Sequence, residues 1–174
     1  NGWRSQADVL IRARMAADAL GATKMDRPED IEINPVSGKV YAVMTNNTLR
    51  GADGQPAPDK ANPHANNATG HIMEITEDGG DHSHLNFKWE IFMLAGLPSD
   101  PSTYFAGYDR QAVSPIGAPD NISFDSRGNL WIATDGQPSA IKVNDAIHAV
   151  ATSGPERGLV KQFLSAPIGS EVSS

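Results

Sequence analysis

The chain contains no cysteine. That excludes disulfides, zinc–thiolate centres and cysteine nucleophiles from within it. It leaves the compartment open, because a disulfide-free protein can live on either side of a membrane. Nothing approaches the ~18 consecutive apolar residues that would span a bilayer. There is no G-x-S-x-G elbow and no P-loop, so Ser5, Ser114 and the other serines sit in no nucleophile motif. Positive charge is scarce: 14 Lys and Arg stand against 21 Asp and Glu, a net charge of −7. That balance argues against a nucleic-acid partner, whose phosphates need a basic surface, and it suits cations. An initiating Met and a signal peptide are also missing. The chain opens on Asn1-Gly2-Trp3, closes on Val172-Ser173-Ser174, and reads as a piece of a larger protein.

What is present is an ordinary globular composition, 39% hydrophobic and 20% charged over 174 residues, enough for one domain. Val9-Leu10-Ile11 is a short apolar run that reads as a strand on length. Arg14 to Leu20 reads as a short helix ending at Gly21. Beyond it helical periodicity gives way to short alternating strands separated by turns.

Two segments repeat each other. Pro28-Glu29-Asp30-Ile31-Glu32-Ile33, a turn at Ser37-Gly38 and Lys39 to Asn46 form the first. Pro119-Asp120-Asn121-Ile122-Ser123-Phe124, a turn at Arg127-Gly128 and Asn129 to Asp135 form the second. Glu29 matches Asp120 at an offset of 91 residues, and Thr45 is aligned with Thr134. Each is an acid-led strand, a glycine turn and a second strand, which is a β-hairpin. Further strands are expected at 70–76 and 87–93 after the first hairpin, and at 140–143 and 159–164 after the second. Four antiparallel strands, repeated, are the signature of propeller blades. Pro167 to Val172 offers a third start, with Glu171 lying 51 residues after Asp120.

The expected fold is therefore all-β: a single partial β-propeller domain over 1–174, with one short N-terminal helix. The blades run over approximately 28–96 and 119–165, with truncated ends. The first is swollen by insertions at 47–69 and 97–118. A closed propeller needs at least about four blades. Missing blades are the expected covalent partners, and the exposed sheet edges invite self-association.

In a propeller the first strand of every blade lines the central channel. Glu29, Asp120 and Glu171 would then meet at one channel mouth, with Asp30 and Asn121 beside two of them. Thr45-Asn46-Asn47 and Thr134-Asp135, at the ends of the second strands, could add side-chain or carbonyl oxygens there. Converging carboxylates repel unless cations lie between them, and an all-oxygen set favours calcium, magnesium or manganese. Any one of these acids reads as readily as a turn cap; it is the repetition that favours a site at Glu29 and Asp120. Arg27 could donate to a bound phosphate or carboxylate, or pair with Asp26 or Asp30. Asp81-His82-Ser83-His84 reads as a solvated loop despite its metal-like letters, as do His64 and His71 around the first insertion. Trp89 and Trp131 read as core.

Several stretches, in order, resemble one family. They are Ala22 to Asp30, Thr45-Asn46-Asn47, Ala61-Asn62-Pro63, Gly70-His71-Ile72, Trp89 to Gly96, Pro119-Asp120-Asn121, Phe124 to Gly136 and Phe163 to Val172. Together they resemble the PhoX-type alkaline phosphatases. The resemblance implies a β-propeller phosphatase that releases inorganic phosphate from phosphomonoesters, exported by bacteria through the twin-arginine route to the periplasm or beyond. It implies a Ca2+ and Fe3+ cluster at the channel mouth. Carried over by motif, Glu29 and Asp120 become metal ligands and Arg27 the group that binds substrate phosphate. Metal roles for Asp30, Asn121, Asn46 and Glu171 are weaker extensions. One departure counts against completeness: the family's iron is held partly by a cysteine, and this chain has none. The segment by itself is expected to be inactive. Two other readings stay open: a calcium-dependent gluconolactonase-like propeller hydrolase, and a propeller binding module with purely structural metals.

Overall fold

The computed structural model describes residues 2–172. It opens with two short helices, α1 (Gln6–Ile11) and α2 (Ala13–Ala19). The strand expected at Val9-Leu10-Ile11 is thus the last turn of α1. The signal that decides it is Ser5-x-x-Asp8: the Ser5 hydroxyl accepts from the Asp8 N–H at 3.2 Å, and Asp8 sits in the first turn. Such an N-terminal cap outweighs the β preference of three apolar residues. No helix among the described residues is long and apolar enough to cross a membrane.

Two antiparallel sheets follow. The first carries β1 (Pro28–Ile33), β2 (Val40–Met44), β3 (His71–Glu77), β4 (Phe87–Leu94) and β5 (Tyr104–Phe105), in that spatial order. The second carries β6 (Pro119–Phe124), β7 (Leu130–Thr134), β8 (Ala146–Val150) and β9 (Val160–Ser165), also in sequence order. Consecutive strands paired as neighbours make each sheet a propeller blade, and β5 is a two-residue addition donated by the second insertion.

One strand lies elsewhere than the pattern suggests. Residues 140–143 do not form β8; the chain there makes a short helix, α3 (Gln137–Ala140), before β8 begins at Ala146. Pro138 suits a first helical turn. The buried Asp145 side chain accepts from the N–H groups of Gly136 and Gln137 at 2.9 Å each and from the Thr134 hydroxyl at 2.9 Å. At the other end, Pro167 to Val172 forms a turn and no strand, so a third blade does not begin within the described residues.

The core lies in the seam between the sheets. Tyr41, Val43, Ile72, Phe92, Phe105, Ile116, Ile122, Leu130, Ile132 and Val160 form one buried cluster drawn from both blades. Tyr41 sits at its centre, edge-on to Phe92 at 5.1 Å and to Phe124 at 5.2 Å. Full burial of each such side chain contributes about 1.5–3 kcal/mol. Neither expected tryptophan belongs to this cluster. Trp89 is 39% exposed on the outer face of the first blade, and Trp131 is half-buried against the exposed Phe163.

Gly70 shows how tightly the seam closes near the start of β6. It adopts φ +79°, and a Cβ there would lie 2.3 Å from the Thr45 carbonyl oxygen and 2.8 Å from Pro119 Cδ. Only glycine permits both that conformation and that approach.

Candidate functional site

β1 and β6 lie side by side along the seam, which brings the two repeated Pro-acid starts to the same end of the molecule. The residues before both prolines share an unusual backbone: Arg27 has φ +45° and Ala118 has φ +48°. Left-handed backbone is uncommon for residues other than glycine and costs of order 1–2 kcal/mol. Its recurrence shows the turn to be architectural. The arginine is what the first blade adds to it.

The repeat is displaced by one residue from the alignment the sequence suggests. Pro28 pairs with Met44 and Pro119 with Thr134. The Thr45 N–H donates to the Arg27 carbonyl at 3.2 Å, and the Asp135 N–H donates to the Ala118 carbonyl at 3.1 Å. Thr45 therefore corresponds to Asp135 rather than Thr134. This makes Asp135, one of the oxygen donors expected at the ends of the second strands, the counterpart of Thr45 and puts its carboxylate on the rim.

Arg27 is exposed, and its guanidinium is held from two sides. Nη1 donates to Asn46 Oδ1 at 2.9 Å and Nη2 to Glu29 Oε1 at 3.2 Å. The partner is Glu29, not Asp26 or Asp30. Asp26 is instead fully buried and paired with Arg50. Asp30 is committed to the seam: Oδ1 accepts from its neighbour's N–H at Ile31 and Oδ2 from the Ile122 N–H, both at 2.8 Å.

Asp120 is half-buried on the facing strand. Burial pushes its carboxyl above the usual carboxylate range, and the negative charges of Glu29 and Asp135 push it further. Arg27 pulls the other way, and Asp30 adds a smaller push upward. Glu29, Asp120 and Asp135 thus share one small region with the Arg27 guanidinium.

The remaining candidates lie apart. Asn121 faces a groove on the second blade bordered by Ile122, Trp131, Ile147 and Val172. Glu171 is exposed on the turn after β9. Asp81 to His84 is a solvated loop in which Asp81 accepts from the Ser83 N–H and hydroxyl. His71 is buried at the start of β3, and burial lowers its pKa even though Asp26 opposes the shift.

The donor set fits a cation in part. Its chemistry is right, because oxygen ligands carrying excess negative charge are what hard cations require. Its geometry is open: among the described residues no three Asp, Glu or His side chains close around a common point. The rim therefore offers oxygen donors without a closed cation site among the described residues.

Known proteins bear directly on this arrangement. A sequence model of the family described as alkaline phosphatase PhoX matches residues 1–174. Among solved structures, that of Pseudomonas fluorescens PhoX in complex with vanadate, a transition state analogue, is 39% identical and superposes with a TM-score of 0.80. The match covers 98% of this chain and 30% of that one, so the chain spans less than a third of its structural relative. No curated protein sequence matches the chain. Its two blades superpose on a PhoX structure and its sequence fits the family model from end to end: the chain belongs to the alkaline phosphatase PhoX family.

Proposed function

We propose that this chain forms one wall of the active site of a metal-dependent phosphomonoesterase. The observation that carries the reading is the juxtaposition of an exposed, oriented arginine with mutually repelling carboxylates on a strained turn. A carboxylate perturbed by burial and by specific charged neighbours, as Asp120 is, is a candidate for a functional site. The vanadate complex of the P. fluorescens relative supports an oxyanion as the ligand class.

In this reading Arg27 presents paired N–H donors to two non-bridging phosphoryl oxygens and stabilises the charge that builds on them. Asn46 and Glu29 hold the guanidinium while the site is empty, so little side-chain freedom is lost when phosphate arrives. Glu29 and Asp120 would hold the cations, with Asp135 as a third carboxylate. The calcium and iron implied by the family resemblance would supply charge neutralisation and Lewis-acid polarisation when bound. Asp30, already occupied by two backbone donors, joins the blades. Export to the periplasm or beyond follows from the resemblance alone. The presence of Arg27 favours this reading over a lactonase, which needs no phosphate-binding cation.

The test uses the full-length protein that carries this segment. Arg27→Ala should lower turnover of p-nitrophenyl phosphate by about 100-fold, the usual cost of one transition-state donor. Metal content by plasma mass spectrometry should be unchanged in Arg27→Ala and reduced in Glu29→Ala. Unchanged hydrolysis in Arg27→Ala would sink the assignment. The segment alone, given calcium and iron, should show no turnover.

A further inference from the structure

The fully buried pair Arg50–Asp26 lies one residue from the site rim, and the proposed chemistry does not use it. Both side chains are 0% exposed. Charges survive burial only when paired and hydrogen-bonded, and these are. Arg50 donates through Nε to Asp26 Oδ1 at 2.5 Å, through Nη1 to the Ala57 carbonyl at 2.9 Å and through Nη2 to the Lys24 carbonyl. Asp26 also accepts from Asn47 Nδ2 at 2.9 Å and Asn67 Nδ2 at 3.0 Å, while its N–H donates to Asn62 Oδ1 at 3.0 Å. All four partners of Asp26 come from the first insertion.

A buried ion pair is a poor way to gain stability, since well-packed apolar residues do as well or better. Its value lies in direction. Asp26 precedes Arg27, and Asn47 follows Asn46. Two adjacent backbone segments are thus cross-linked twice, by Asp26–Asn47 on the inside and by Arg27–Asn46 on the outside. The Arg27 N–H donates to the Met25 carbonyl at 3.1 Å, wrapping the chain around Asp26 and turning Arg27 outward. The second blade makes the same left-handed turn at Ala118 with Gly117 in place of Asp26. The turn itself needs no ion pair; the blade whose turn carries the arginine has one.

We propose that Arg50, acting through Asp26 and Asn47, is a positioning residue that fixes the direction of the Arg27 guanidinium. The inference rests on the phosphate-binding reading of Arg27. Loosening the inner cross-link lets the turn relax, and the guanidinium then has to be ordered at each binding event.

A double-mutant cycle tests it in the full-length protein, with inorganic phosphate as the probe. Its dissociation constant is measured by titration calorimetry and its inhibition constant against p-nitrophenyl phosphate. Arg50→Lys should weaken phosphate about tenfold and raise KM similarly, with a smaller change in kcat. In an Arg27→Ala background the same substitution should have no further effect on phosphate. An equal loss with and without Arg27, or a lower melting temperature with phosphate binding intact, overturns the proposal. Should Arg50→Lys fail to fold, Asn47→Ser carries the same cycle: it removes the contact to Asp26, and its hydroxyl can still accept from the Leu49 N–H. If Arg27→Ala leaves phosphate binding unchanged, the phosphatase reading of Arg27 falls and takes the positioning role with it. Additive losses alongside a weakened Arg27→Ala remove the positioning role alone.

Discussion

The seam between the two blades carries a carboxylate at each end, and the two are treated in opposite ways. Glu74, 2% exposed, is surrounded by donors: Lys39 and the Tyr41 hydroxyl bond its two oxygens, and Arg157 reaches it across the seam at 3.1 Å. Burial pushes the Glu74 carboxyl up, but those hydrogen bonds and the Arg157 charge outweigh it and hold the group below its usual range. Arg157 also lies over the Phe92 ring, 5.1 Å from its centre. Asp120, at the other end, is held above its usual range by burial first, and the charges of Glu29 and Asp135 add to that push instead of opposing it. The difference does not lie in burial, which is deeper at Glu74. It lies in the sign of the neighbours. A fold that surrounds one seam carboxylate with cations leaves the other set short of them, with Arg27 held by Glu29 at 3.2 Å as the cation on that side.

The contrast predicts opposite responses to neutralisation. Glu74→Gln should destabilise the protein by about 3 kcal/mol, because it strands Lys39 and Arg157 around a group that no longer attracts them. Urea denaturation measures this. A change under about 0.5 kcal/mol would show that the clamp is decorative, as exposed ion pairs often are.

Acid should find the seam through His148 as well. This side chain is fully buried, with Nε2 against the Pro115 carbonyl at 3.1 Å, and burial lowers its pKa from 6.5 to about 4. The unfolded chain takes up the proton first, so the stability His148 contributes is present above pH 6.5 and is lost as pH falls towards 4. The loss approaches about 3 kcal/mol at the lower limit. Glu74 adds its own loss below its unfolded value of 4.5, where protonation removes the charge its partners hold. The slope of unfolding free energy between pH 6.5 and 4 should flatten in His148→Gln. An unchanged slope would place the acid sensitivity elsewhere.

The blades were legible in the sequence because alternating strands and glycine turns are local signals. The Pro-acid start was legible because it occurs twice. What escaped depends on partners distant in sequence or on register. Asp145 anchors the start of the helix at 137–140, ahead of the strand expected at 140–143, by accepting from the N–H groups of Gly136 and Gln137, which residue preferences cannot reveal. The equivalence of Asp135 with Thr45 was hidden by a one-residue difference between the hairpins, which aligned Thr45 with Thr134, although Asp135 itself stood among the oxygens expected at the ends of the second strands. Arg50 sits in an insertion rich in Pro, Gly, Asn and Asp that reads as solvated, yet it is among the most buried side chains of the chain. Its nearest textual clue is Asp26, 24 residues earlier, a spacing without a local rule.

The smallest effect is the sharpest test of the contrast. Asp120→Asn keeps the shape of the side chain and removes one of the crowded charges. Because the folded pKa of Asp120 is raised, its ionised form costs stability above the unfolded value of 3.8, and that cost fades as pH falls towards it. Chelator-treated Asp120→Asn protein should therefore be more stable than wild type at pH 7, by about 0.5 kcal/mol given the partial exposure of the group. The gain should vanish near pH 3.5, where both side chains are neutral. Calcium should reverse the order, stabilising wild type more than the variant, because the repulsion that penalises the empty rim is what a cation relieves. A variant less stable than wild type at pH 7 without metal would mean that Asp120 is already satisfied by the protein. The two ends of the seam would then not differ in kind.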